Sequence, residues 1–171
     1  MIEAVQFESG VVYENDGLVV TAFAVDHSPI EPAVGYRFDY GGRSVVISGD
    51  TNAVATTLEA SRGADLLLHD ALAPELLTLM RDSLAEAGVP RTPQIITDVF
   101  DYHAHTAEVV ELAEGAGVRM LALYHLVPAP ANGLFESMFR RDVPSSVVLA
   151  DDGMLFELPV GSQDIELAEL F

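Results

Sequence analysis

The sequence lacks three residue types altogether: none of its 171 residues is cysteine, lysine or tryptophan. Without cysteine there are no disulfide bonds and no thiolate metal sites, so a metal can be held only by imidazole and oxygen ligands. The eight basic residues are all arginine, and 27 acidic residues set the formal net charge at −19. A field of that sign repels phosphate backbones, and it predicts that nucleic acid is an unlikely partner.

Long hydrophobic runs are also missing. No apolar run approaches the ~18 residues needed to span a bilayer, and the first residues lack the basic segment of a secretion signal. We therefore expect a cytoplasmic protein with no membrane partner. Hydrophobic residues still make up 50% of the chain, which predicts a single domain over residues 1–160, followed by an acidic tail over residues 161–171.

The pattern of the chain changes near residue 50. Before it, the sequence predicts short strands separated by turns, at residues 2–7, 11–14, 18–25, 34–40 and 43–48. After it, helices and strands alternate. Helices are predicted at residues 51–62 with Thr51 as N-cap, and at 74–87, 106–116 and 134–140. Strands are predicted at 65–68 and 120–124, with a loop over 89–101 and a terminal hairpin of 146–149 with 154–158. This order is typical of an α/β layered fold.

Four apolar runs end in residues that can carry chemistry. The run 44–48 is followed closely by Asp50, and three other runs are followed by His27, His69 and His125. Because strand ends in α/β layers collect ligand and catalytic groups, these side chains are expected to face one site. Imidazole and carboxylate suit Zn²⁺, Mn²⁺ or Fe²⁺. The residues also allow a simpler interpretation, in which Asp50 caps the next helix and His125 is a buried, hydrogen-bonded histidine.

A longer series of motifs extends from about residue 11 to about residue 158. It consists of Val25-Asp26-His27, Gly35-Tyr36-Arg37, Ser48-Gly49-Asp50-Thr51, Leu67-Leu68-His69-Asp70-Ala71, Asp101-Tyr102-His103 and Leu123-Tyr124-His125-Leu126-Val127-Pro128. This series resembles the second half of the metallo-β-lactamase fold, in its ribonuclease Z and arylsulfatase-like branch. The resemblance implies an α/β domain that forms the second half of an αββα sandwich.

The same resemblance implies metal ligands and a proton donor. In that family the Gly-Asp-Thr aspartate bridges two metals and the late histidine binds one, which assigns Asp50 and His125 to a divalent metal. Zinc is the first expectation, with manganese or iron as alternatives. In ribonuclease Z relatives a His-Ser-Thr histidine stands 22 positions before the metal histidine. Since 125 − 103 = 22, His103 takes that place and is expected to protonate the leaving group.

Further roles follow from neighbouring motifs. His69-Asp70-Ala71 resembles the His-Glu-Ala-Thr motif of the branch, which adds His69 and Asp70 to the catalytic group, with Asp70 orienting the proton donor. His27 and Arg37 are expected to shape the substrate pocket, and a structural hydrogen bond is an equal alternative for His27. His105 is interpreted as the polar entry to the following helix.

The family's first half, with its His-x-His-x-Asp-His motif, has no counterpart in this sequence. The chain is therefore expected to be a fragment, a product of a split gene or a natural short form. Half a sandwich leaves one sheet face uncovered, which is costly for an apolar chain. We expect that a second copy covers it in a homodimer, or that the missing N-terminal half does.

Three functions compete at this point. The first is a metal-dependent hydrolase, or its C-terminal part, that uses metal-bound hydroxide on a small phospho-, sulfo- or carboxyl-ester substrate, the isolated chain being inactive or weak. The second is a non-catalytic half-fold module that dimerises or docks onto a chain carrying the missing motif. The third, a phospho-acceptor or nucleotide-type domain, is disfavoured because no glycine-rich phosphate loop is present.

Overall fold

The structure is a computed structural model that describes residues 6–89 and 91–170. Its main feature is a seven-stranded sheet whose strand order follows the chain. The strands are β1 Gly10–Asn15, β2 Leu18–Ala24, β3 Val34–Tyr40, β4 Arg43–Ile47, β5 Leu66–Leu72, β6 Met120–Val127 and β7 Val148–Leu149. β1 to β4 form an antiparallel meander, and β4 to β7 pair in parallel.

Five helices lie in the described part of the chain. They are α1 Ala55–Ala60, α2 Pro74–Glu86, α3 Thr92–Val99, α4 Thr106–Ala116 and α5 Gly133–Phe139. A second sheet pairs β8 Met154–Glu157 with β9 Glu166–Glu169 in antiparallel orientation. The expected α/β fold class is confirmed. No helix among the described residues is both long and apolar enough to cross a membrane.

One face of the main sheet packs against the helices. Cross-strand partners lie on the same face of a sheet, so the register row Val46, Leu67 and Leu121 marks that face. These side chains share one core cluster with buried residues of α2, α4 and α5, namely Leu76, Val109, Leu112, Ala113 and Phe139. Burial of each large aliphatic side chain stabilises the fold by roughly 1.5–3 kcal/mol. This layer therefore fixes the parallel strands that carry the site.

The opposite face of the sheet is apolar but incompletely covered. Tyr36 pairs with Ile47, which pairs with Leu68, and all three side chains are only half-buried. Phe38 and Val45 form a second pair of the same kind. The half-sandwich interpretation predicts such a face. The homodimer and the complementary half that were considered for covering it both stay predictions.

Three local predictions are wrong. The helix expected from Thr51 begins only at Ala55, because the Thr51 hydroxyl is used in loop contacts. Residues 89–101 contain α3 instead of only a loop, with a proline in its first turn. The terminal hairpin does not form, since β7 pairs with β6 and β8 pairs with β9. The strand expected at residues 2–7 falls mostly outside the described residues, and Gln6 and Phe7 are not in a strand.

The segment after β8 is attached to the main sheet by arginine. Nη1 of Arg43 donates to the backbone carbonyl oxygens of Pro159, Ser162 and Asp164. Nη2 of Arg119 donates to the carbonyl oxygen of Gln163. The acidic tail expected after residue 160 thus contains a paired strand and a loop fixed by two guanidinium groups.

Candidate active site

Hydrogen bonds of the backbone and of the Thr51 hydroxyl join three loops at the end of β5. Oγ1 of Thr51, which follows β4, donates to the carbonyl oxygen of Asp26 at 3.1 Å and accepts from its N–H at 3.0 Å. The carbonyl oxygen of Thr51 accepts the N–H of Ala104 at 2.9 Å, and the carbonyl oxygen of Ala104 accepts the N–H of Leu72 at 2.7 Å. These bonds fix the segment that carries His103 against the end of β5.

Asp70 and His103 form a buried pair. Nδ1 of His103 lies 2.7 Å from Oδ2 of Asp70, and the exposed fraction is 0% for Asp70 and 5% for His103. Burial alone raises the pKa of Asp70, but the hydrogen bond from His103, the contact of His69 and the charges of both outweigh it and leave that pKa lowered. An ionised Asp70 accepts a hydrogen bond from the Nδ1–H group of His103, so Nε2 is the free ring nitrogen of His103.

His69 supports this pair from within β5. Its Nδ1 lies 2.8 Å from the carbonyl oxygen of Asp70 and 3.0 Å from Oδ1 of the same residue. Only the first contact has hydrogen-bond geometry, so Oδ1 of Asp70 has no hydrogen-bond partner among the described residues. Nε2 of His69 has none either. His69 pairs in register with Leu123, a member of the helix-covered core. It therefore lies behind Asp70, on the side of the sheet that the helices cover.

His125 occupies a bulge in β6. Asp70 pairs with Tyr124 and the next residue of β5 pairs with Leu126, so His125 is left without a partner in the ladder. Its φ is +44°, a left-handed conformation that is unfavourable for a residue with a Cβ. Bulges of this kind re-aim a side chain next to functional sites. His125 lies on top of His103, with ring centroids 5.1 Å apart and an angle of 25° between the rings.

Asp50 reaches the same place through a glycine turn. Gly49 has φ +70°, and a Cβ added to it would lie 2.6 Å from the carbonyl oxygen of Val34. Glycine is therefore required by conformation and by space. The turn brings Oδ2 of Asp50 to 3.6 Å from Nε2 of His125, and both side chains are exposed, at 44% and 45%.

The donor atoms at this edge fit a divalent cation. One ligand atom from each of Asp70, His103 and His125 lies within 4.8 Å of the others, and Asp50 adds a second carboxylate. Imidazole nitrogen and carboxylate oxygen are ligands that Zn²⁺, Mn²⁺ and Fe²⁺ accept. Asp70 and His103 each use one atom in their mutual hydrogen bond, which leaves Oδ1 of Asp70 and Nε2 of His103 available.

Tyr124 lies beside Asp70, with which it pairs in the parallel ladder. Burial raises the pKa of Tyr124 to about 12, and the negative charges of Asp70 and Asp50 act in the same direction against a partly offsetting hydrogen bond with Ser48. The phenol is therefore neutral at physiological pH. Oγ of Ser48 also accepts the N–H of Asp70 at 3.2 Å, so Ser48 helps to fix the backbone at Asp70.

The structure brings most of the expected site residues together, with one exception. His27 lies 5.4 Å from His103 between ring centroids. Arg37 lies outside the group: its guanidinium donates to Asp39 and to the carbonyl oxygens of Ala60 and Arg62 around the end of α1. Those contacts account for its conformation without a substrate. His105 is the N-cap residue of α4.

Several residues of the site carry no role in the sequence-based prediction. Ser48 and Thr51 hold Asp70 by hydrogen bonds, Thr51 also joins two loops, and Tyr124 lies beside Asp70. One signal for them was available, because a serine and a threonine beside a buried apolar strand must find hydrogen-bond partners. The partners themselves lie 19 to 25 positions away in the chain, so the pattern could not name them.

Comparison with known proteins gives the class. The sequence model described as a beta-lactamase superfamily domain matches residues 2–126. The chain belongs to this family, in the ribonuclease Z-like branch of the metallo-β-lactamase superfamily. Ribonuclease Z of Mycobacterium sp. strain KMS is 32% identical over 154 residues, covering 88% of this chain and 50% of that protein. Ribonuclease Z of Mycobacterium tuberculosis strain H37Rv is 31% identical over 132 residues, or 77% of this chain and 44% of that protein.

Solved structures show the same fold. Human tRNase Z, short form, has a TM-score of 0.58 at 22% identity, covering 88% of this chain and 46% of that one. A metallo-beta-lactamase fold protein from Bacillus subtilis has a TM-score of 0.58 at 18% identity, covering 85% and 52%. The chain spans about half the length of the curated relatives it matches.

These relatives correct one expectation. The net charge of −19 predicts that nucleic acid is an unlikely partner, and this prediction is wrong as an exclusion because the similar proteins are named as ribonucleases. Net charge describes the field of the whole molecule. Binding at a site depends on the local groups, so the net charge alone excludes no ligand.

Proposed function

We propose that this chain forms the part of a metal-dependent phosphodiesterase that holds the proton donor and two metal ligands, with RNA within its substrate class. The observation that carries the proposal is the buried Asp70–His103 pair next to His125 and Asp50. The ribonuclease Z relatives support the phosphodiester among the esters considered.

The residues of the site have separate proposed roles. A divalent cation, when bound, polarises the phosphodiester and lowers the pKa of water. Asp70 fixes the His103 ring through Nδ1, which leaves Nε2 to give a proton to the leaving oxygen. His69, Ser48 and the N–H of Thr51 keep Asp70 in place. Asp50 and His125 are the proposed metal ligands.

We also propose that the chain by itself turns over weakly or not at all. Two four-coordinate ions need more ligands than Asp50, His125 and the Asp70–His103 pair provide. The half-exposed side chains of Asp50 and His125 support this view, since a working ligand is usually enclosed and fixed by further contacts.

Metal content is the direct test. The purified chain is loaded with Zn²⁺, dialysed and measured by inductively coupled plasma mass spectrometry. We expect retained zinc to fall by at least about tenfold in Asp50→Asn and His125→Ala, in line with loss of a ligand. His105→Ala is the matched control and should retain the wild-type amount. Equal zinc in all four proteins would contradict the assigned ligands.

The role of His103 has a separate test. In a protein where the site is complete, His103→Ala should lower phosphodiester turnover by about 10²–10⁴-fold while leaving metal content unchanged. The loss should be smaller for a substrate with a good leaving group, because that substrate needs less protonation. If metal is lost together with activity, His103 is a ligand and not the proton donor.

A further inference from the structure

Three rings from two segments of the chain meet at the Asp70–His103 pair. The ring centroid of Tyr102 lies 4.9 Å from that of His27 and 5.0 Å from that of His103. His27 follows β2, whereas Tyr102 lies between α3 and α4. We call Tyr102 and His27 the aromatic pair.

The aromatic pair is not part of the hydrophobic core. Both side chains are half-buried, and neither belongs to the two core clusters of the described residues. The Tyr102 hydroxyl makes no hydrogen bond to another described residue, and it is not among the buried atoms that lack a partner. The phenol therefore remains accessible to solvent or to a ligand.

The ring of Tyr102 has no parallel-stacked partner among the described aromatic residues. His27 and His103 are tilted against it by 45° and 58°, so neither stacks parallel to it. His103 instead stacks on His125. The backbone beside Tyr102 is fixed, because the carbonyl oxygen of Asp101 accepts from Nδ2 of Asn52 at 3.0 Å. A preformed aromatic surface next to a reactive group costs little ordering on binding.

We propose that Tyr102, supported by His27, is a stacking surface for a planar ring attached to the ester on which His103 acts. The inference rests on the proposed function, and it names the substrate class as a phosphoester that carries a nucleobase or an aryl group. Aromatic side chains recognise unpaired bases by stacking. The flanking carboxylates of Asp26 and Asp101 repel phosphate, so the ring is the part that this surface contacts.

The absence of tryptophan from the chain makes the test specific. Tyr102→Trp places a single indole on the proposed surface, and Tyr40→Trp places one on the exposed end of the β3–β4 hairpin as a matched control. Each protein is titrated with adenosine 5′-monophosphate, phenyl phosphate and ribose 5-phosphate while indole fluorescence is followed. We expect quenching of Tyr102→Trp by one or both of the ring-bearing phosphates, with no response to ribose 5-phosphate and none in Tyr40→Trp. The stronger of the two quenchers identifies the ring as nucleobase or aryl.

Affinity variants give a second measurement. By calorimetry or ligand-observed NMR, Tyr102→Leu should weaken binding of the better ring-bearing phosphate by about 5–100-fold, and Tyr102→Phe should retain it. Circular dichroism checks that each variant is folded. Equal binding by Tyr102→Leu, or equal quenching by ribose 5-phosphate, would overturn the stacking surface. Zinc retention by Asp50 and His125 is measured separately, so failure of the metal site and failure of the stacking surface give different results.

Discussion

Two buried aspartates on either end of β5 show how differently this protein treats the same side chain. Asp65 precedes the strand and is surrounded by firm donors: Nε of Arg43 at 3.1 Å, the N–H of Ser44 at 2.9 Å and Nη1 of Arg119 at 2.8 Å. Asp70 lies near the other end of the strand. Its side-chain neighbours include His69 and His103, and its Oδ1 has no hydrogen-bond partner among the described residues.

The partners explain the difference. Burial raises the pKa of Asp65, but the two guanidinium groups and the N–H of Ser44 outweigh it and leave that pKa lowered. Arginine cannot give up its charge in a protein, whereas histidine changes charge near neutral pH. The Arg43–Asp65–Arg119 cluster is therefore suited to fix structure, and the Asp70–His103 pair is suited to move a proton.

The largest effect is expected from Asp65→Asn. It leaves the charge of Arg43, which is 6% exposed, without a buried counter-ion, and such changes cost about 3–5 kcal/mol of unfolding free energy. Urea denaturation followed by circular dichroism measures the loss. Asp39→Asn, which removes the more exposed partner of Arg37, serves as control and should cost less than about 1 kcal/mol. Similar losses in both variants would contradict the structural role of the cluster.

Wild type and Asp65→Asn also give a pH test. Because the pKa of Asp65 is lowered on folding, its contribution is fully present above the unfolded value of about 3.9 and is lost as pH falls through the folded value. The stability difference between wild type and Asp65→Asn should be constant from pH 7 to about pH 5 and should shrink below about pH 4. Chemical denaturation at several pH values checks this. A difference that grows on acidification would have the wrong sign.

Asp70→Asn should cost less stability than Asp65→Asn, about 1–3 kcal/mol. The neighbouring histidines can become neutral, so no permanent charge is left buried. The ring of His103 should instead lose its preference for a proton on Nδ1, which is measured from the ¹⁵N shifts of the imidazole nitrogens. His105 is the internal control, since its ring should not respond. A stability loss equal to that of Asp65→Asn would remove the distinction drawn between the two aspartates.

Parts of this comparison could be predicted from the sequence. The switch from β hairpins to helix–strand alternation near residue 50 follows from local periodicity, and His103, Asp50 and His125 were singled out by motif and spacing. The same apolar periodicity ended β5 at residue 68 and β6 at residue 124, although β5 continues to Leu72 and β6 to Val127. A polar residue in a sequence suggests the end of a strand when the groups that contact it in the fold lie elsewhere in the chain.

The Arg43–Asp65–Arg119 cluster could not be predicted for the same reason. Arg43 opens β4, Arg119 precedes β6, and the carbonyl groups that they bind lie between residues 159 and 164. Nothing local in those segments indicates the contact. The acidic residues after residue 160 instead suggested an independent tail. Composition does not show which backbone carbonyl oxygens will accept hydrogen bonds from arginine.

The smallest expected effect concerns the strained backbone of His125. At φ +44°, a side chain with a Cβ is disfavoured by about 1–2 kcal/mol, whereas glycine is not. His125→Gly should therefore be about 1 kcal/mol more stable than His125→Ala, after allowing for the greater freedom of glycine in the unfolded chain. Urea denaturation of the two metal-free variants measures the difference, and the same two substitutions at Glu111, an exposed position inside α4, should give the opposite order because alanine is favoured over glycine within a helix. If alanine is the more stable replacement at both positions, the bulge stores no strain, and the conformation of His125 is not imposed at the expense of stability.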